Sequence, residues 1–105
     1  MFTIRKLESL PPSTRRRKIE RLLYAAELDL GRGEPGDPAY LAAVVELLTR
    51  DRGISAASRE RIGSLQVTIG SAPRGEALRA VNSVRNRLLL EMGAEPSECD
   101  FTVPS

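Results

Sequence analysis

Apolar residues recur every three to four positions through most of this chain, and the places where the recurrence breaks divide it into helical segments. Ile4, Leu7 and Leu10 are spaced for a short helical turn that Pro11-Pro12 ends. A longer helix follows, capped by Ser13 or Thr14 and running to about Leu30. Its inward face is Ile19, Leu22, Leu23, Ala26 and Leu30, with Gly31 and Gly33 as its stop. Asp37-Pro38 is an N-cap followed by a favoured first helical residue, which predicts a helix over 38–52 with a wide apolar face of Tyr40, Leu41, Val44, Val45, Leu47 and Leu48. Gly53 closes it.

Ser55 caps a third helix from about Ala56 to Ile69-Gly70, with Ile62, Leu65 and Ile69 inward. Gly63 and the β-branched Val67, Thr68 and Ile69 weaken it. Pro73 opens the last helix, whose inward set is Ala77, Val81, Val84, Leu88 and Met92 before Gly93. Short connections between such segments imply side-by-side packing, so the expected fold is all-α, a small bundle of about four helices. Residues 1–93 form its single helical domain behind a basic N-terminal segment. Residues 94–105 lack helical period and read as an irregular tail or a linker to a missing domain.

At 105 residues there is room for one modest core. No apolar run reaches the ~20 residues of a membrane span. The single cysteine, Cys99, forms no intrachain disulfide and points to a reducing cytoplasm; with no histidine present, a metal site of the usual nitrogen and sulfur ligands has no material. Nor does any pair of residues suit acid–base or nucleophilic catalysis, so no catalytic residue is expected in this chain.

Charge alters the picture more than composition does. The net charge is only +2, yet residues 1–21 hold seven bases against two acids, and the remainder nine bases against twelve acids. Fourteen of the sixteen bases are arginine, whose planar fork suits phosphate. Arg15, Arg16, Arg17 and Lys18 crowd the start of a helix, where the macrodipole makes each cation cost roughly 0.3–1 kcal/mol unless an anion offsets it. Glu20 is the one nearby acid for these and Arg21, so an external phosphate is the natural complement.

On the same helix Arg17, Arg21, Tyr24 and Leu28 form one stripe opposite the core face, which suits RNA if Tyr24 stacks on an unpaired base. Either that stripe is a binding surface, extended by Arg5 and Lys6, or the N-terminal segment covers Tyr24 and Leu28. Arg79, Asn82 and Asn86 make a second polar stripe on the last helix. Two other classes compete with RNA binding. Tyr24 and Leu28 could anchor a partner helix in a protein-interaction domain. Residues 48–62 resemble a helix-turn-helix DNA-binding unit with Gly53 in the turn, although Arg59 stands where that motif buries an aliphatic residue.

The run Arg5-Lys6-Leu7-x-x-Leu10-Pro11, continuing through Arg15-x-Arg17-Lys18-Ile19-x-Arg21-Leu22-Leu23, resembles the N-terminal helical segment of bacterial SpoU/TrmH-type RNA 2′-O-ribose methyltransferases, chiefly over residues 1–30. That resemblance implies an accessory module that recognises rRNA or tRNA. S-adenosylmethionine and the ribose methylation would belong to a separate knotted α/β domain, because this sequence has no βα alternation, no Gly-rich cofactor loops and no counterpart of the family's catalytic arginine. Many of these enzymes carry a small α/β RNA-binding domain at this place, from which the helical pattern departs.

Overall fold

The computed structural model describes residues 3–33, 37–71 and 73–93, and among them five α-helices: α1 (Ile4–Glu8), α2 (Pro12–Gly31), α3 (Pro38–Thr49), α4 (Ala56–Ser71) and α5 (Arg74–Glu91). The all-helical bundle expected from the periodicity is present, with the N-terminal turn forming a fifth, short helix. α3 lies along α4, α4 along α5 and α5 along α2, while α1 tucks against α2 and α3. α2 and α3 touch only lightly and leave an apolar groove lined by Leu22, Ala26, Leu30, Tyr40 and Leu41. The expected tail, with Cys99, lies outside the described residues.

The core takes one face from each helix. Leu7, Ile19, Leu23, Val44, Val45, Leu48, Ile62, Ile69, Val81, Val84 and Leu88 are almost completely buried. Leu22, Ala26, Tyr40, Leu65 and Met92 pack around them as partly buried neighbours. Each fully buried aliphatic side chain contributes on the order of 1.5–3 kcal/mol relative to exposure. That burial is what holds a helix such as α4 in place despite its glycines and β-branched residues.

Two helix ends differ from the expected ones. α2 begins at Pro12 with Pro11 as its N-cap and no side-chain capping bond, rather than at Ser13 or Thr14. Proline suits that position because its fixed φ is helical and its missing N–H has no partner to lose. α3 ends at Thr49 instead of about residue 52. Asp51 is the reason: its Oδ1 accepts the Gly53 N–H at 2.8 Å, an Asx-type turn that competes with further helix. Ile54, drawn in behind this turn, is 1% exposed.

Asp37 caps α3 as its sequence indicates, its Oδ1 accepting the Tyr40 N–H at 3.1 Å. α2 passes through Gly31 to Gly33, whose φ of +90° closes the helix in the left-handed region that favours glycine.

Candidate nucleic-acid interface

The basic start of α2 divides into inward and outward groups. Successive helical residues are about 100° apart, so Arg15, Arg16 and Arg17 leave the axis in three different directions. Arg15 turns back over α1: its Nε donates to the Leu7 carbonyl at 3.0 Å, and its Nη2 donates to the carbonyls of Leu10 at 2.9 Å and Glu8 at 3.2 Å. One guanidinium thus binds three carbonyls in and just after α1, of which that of Leu7 also accepts the Leu10 N–H at 3.2 Å.

Arg16 forms a bidentate pair with Asp51, Nε to Oδ2 at 2.6 Å and Nη2 to Oδ1 at 3.0 Å. The Asp51 side chain is 4% exposed and that of Arg16 20%. Burial pushes the Asp51 carboxyl up, but the hydrogen bonds from Arg16 and Gly53, with the Arg16 charge, hold it below its ordinary value. The Asp51 hydrogen bond in turn raises Arg16. The expectation of uncompensated charge at this helix start therefore needs correcting at two positions: Arg15 is occupied by α1, and the anion beside Arg16 is the protein's own.

Glu20 is not the counter-ion of these bases either. It faces α5, where Arg85, 5% exposed, donates from Nη1 to Glu20 Oε2 at 2.9 Å and from Nε to Glu27 Oε2 at 2.6 Å. Asn82 adds a bond to Glu27 Oε1 at 3.3 Å, and Asn86 donates to Asn82. The second polar stripe of the sequence reading is thus largely a seam between α2 and α5. Arg79 stays exposed at its end.

Above this seam the Arg85 guanidinium lies 4.9 Å from the centre of the Tyr24 ring, a cation–π contact that fixes the ring from one side. Tyr24 nevertheless remains 48% exposed and Leu28 46%. The N-terminal segment does not cover them. Arg17 and Arg21 are exposed on the same line and make no hydrogen bond or ion pair among the described residues. Lys18 is half-buried and partnered. Arg5 and Lys6 are exposed on α1, which packs on the side of α2 that Arg15 reaches, roughly 160° round the helix from Arg17. Of the eight residues singled out from the sequence, the structure brings Arg17, Arg21 and Tyr24 onto one outward surface and distributes the others elsewhere.

Sequence reasoning missed Arg85 and Glu91. Glu20, Tyr24 and Glu27 recur at helical spacing, and Arg85 follows Val81 by four residues on a core-facing line; those spacings were the available signal for Arg85. Glu91, near the end of α5, accepts from the Ser58 hydroxyl at 2.5 Å and from the Ser55 N–H and hydroxyl at 2.9 Å each. The Ser58 bond leads the interactions that hold its carboxyl below the ordinary glutamate value. Ser55 itself caps α4 through its Oγ, which accepts the Ser58 N–H at 3.3 Å. Arg59, at the position that departs from the helix-turn-helix pattern, donates to the Ile54 carbonyl at 3.1 Å. A carboxylate thus sits where a DNA-reading helix would present its N-terminus.

No group of three or more metal-ligating side chains occurs among the described residues, and no helix there is long and apolar enough to cross a membrane. Comparison with protein-family models, curated proteins and solved structures gives no match.

Proposed function

We propose that this helical unit binds RNA, with Arg17 and Arg21 on backbone phosphates and Tyr24 stacking on an unpaired base. The observation that carries this reading is the exposed line on α2, where two guanidiniums without described partners stand one turn apart beside an aromatic ring already held by Arg85. A ring fixed before binding loses little freedom when a base stacks on it, and such stacking contributes about 1–3 kcal/mol per base. Arg5 and Lys6 supply further positive charge from α1 and would engage a longer or folded RNA. Arg15 and Arg16 act on the interface by fixing the helix that carries it.

The resemblance of residues 1–30 to SpoU/TrmH-type enzymes supplies a setting: an rRNA- or tRNA-recognising appendage of a bacterial, cytoplasmic 2′-O-methyltransferase, with S-adenosylmethionine bound by a separate catalytic domain. The helix-turn-helix reading is disfavoured by the Glu91 carboxylate at the start of α4, which would repel DNA phosphates.

Reversing Arg17→Glu and Arg21→Glu together should weaken RNA binding by tenfold or more, as an order of magnitude, with thermal stability unchanged because both side chains are exposed. Fluorescence anisotropy with a structured RNA reads this directly. Unchanged RNA affinity in the double variant would remove the proposal. Failure of the wild-type protein to bind RNA, with Tyr24→Ala abolishing capture of a protein partner, would favour the protein-interaction reading.

A further inference from the structure

The exposed line on α2 runs into a groove between α2 and α5. Glu27 and Leu28 form one wall and Leu78, Arg79, Asn82 and Ser83 the other of an open groove of about 540 Å³. That volume falls within the range of about 300–1,000 Å³ of small-ligand pockets. We infer that this groove receives an unpaired nucleobase of the RNA, next in line after the one stacked on Tyr24. This rests on the RNA-binding reading and specifies the class of RNA: one with unpaired nucleotides, rather than an uninterrupted duplex.

Charge and shape select a base over other parts of RNA. Glu27 is a carboxylate at the groove wall that shares the Arg85 cation with Glu20, so the cluster keeps net negative charge, and it is bonded by Asn82. It repels a phosphate, yet it can accept from a base amino group. Leu28 and Leu78 offer apolar surface to the flat faces of a ring, while Ser83 and the Asn82 amide offer polar groups to its edge. Arg79, exposed at the rim with no hydrogen bond or ion pair among the described residues, is available to the phosphate of that nucleotide. Arg17 and Arg21 on one side and Arg79 on the other therefore bracket a site unsuited to phosphate. In an A-form duplex the bases are stacked inside, and none can reach it.

The test compares a hairpin RNA carrying 2-aminopurine in its unpaired loop with a fully paired duplex of equal length. The groove variant is Leu28→Ser, uncharged and at a position exposed enough to spare the fold. Wild-type protein is expected to bind the hairpin roughly tenfold tighter than the duplex, with a change in 2-aminopurine emission. Leu28→Ser should weaken hairpin binding several-fold, with the part of the preference due to Tyr24 retained, reduce the emission change and leave duplex binding unaltered. Equal wild-type affinity for both RNAs, or an equal loss on both in Leu28→Ser, overturns the groove assignment while leaving the phosphate-binding line intact. Absence of binding to either RNA overturns both readings; where the wild type binds, a loss on both RNAs in Arg17→Glu/Arg21→Glu alongside an unaltered hairpin preference in Leu28→Ser supports the phosphate-binding line and overturns the groove assignment alone.

Discussion

A methyl group at position 53 would run into the Arg16 guanidinium, which is locked in its bidentate pair with Asp51. Gly53→Ala should therefore act through Arg16, and it should cost little once Arg16 is already alanine. Arg16→Ala alone leaves the Asp51 carboxylate buried without its cation, a loss of about 3 kcal/mol and a fall in Tm on the order of 10–20 °C. Thermal unfolding of the two single variants and the double variant checks the coupling; additive losses would show that residues 16 and 53 act separately. Acid should expose the same pair. Asp51 titrates below its ordinary 3.8 and Glu91 below its ordinary 4.5, so each contributes stability that is complete above those values and is lost as pH falls through the lower folded value. The wild type should lose stability steeply below about pH 4, and Asp51→Asn should be less stable at pH 7 but flatter in acid. A parallel pH profile would contradict the assignment.

Helical identity was readable from the chain because nearly every inward residue falls on a 3.6-residue period, from Ile19 and Leu23 in α2 to Val81, Val84 and Leu88 in α5. The ends were less readable. The start of α2 follows from the local geometry of Pro11-Pro12, which competes with the equally local Ser13 and Thr14 as caps, whereas the aspartate that stops α3 is held by an arginine 35 residues away. α4 shows propensity yielding to tertiary packing, since it runs through Gly63, Val67, Thr68 and Gly70 between α3 and α5. Its start is secured by Glu91 from another helix, a long-range capping interaction with no local signature. A Cβ at Gly63 would lie 3.8 Å from Thr49 Cγ2, an ordinary contact. Gly63→Ala should thus stabilise the protein by about 0.5–1 kcal/mol, read as a higher midpoint in urea. A lower midpoint would mean that the α3–α4 packing is tighter than this spacing implies.

At the scale of the whole molecule, the basic N-terminal segment proves to have two roles that charge counting merges. Arg15 and Arg16 join α2 to α1 and to the turn after α3, whereas Arg17 and Arg21 face outward. The stripe of Arg17, Arg21, Tyr24 and Leu28 was visible on a helical wheel; which neighbouring cations the fold retains for itself was not, because Asp51 lies 35 residues from Arg16. The split sets the number of phosphates available. Four exposed bases, Arg5, Lys6, Arg17 and Arg21, replace the larger set suggested by the sequence.

The most direct measurement is RNA affinity across a salt series for the wild type beside Arg17→Glu/Arg21→Glu. For about five phosphate contacts, the four of the N-terminal segment and Arg79, the log–log slope should be about −3.5 to −4.5, and it should fall to roughly half that in the double variant. A wild-type slope near zero, or the same slope in both proteins, would contradict the assignment of α2 as a phosphate-binding helix.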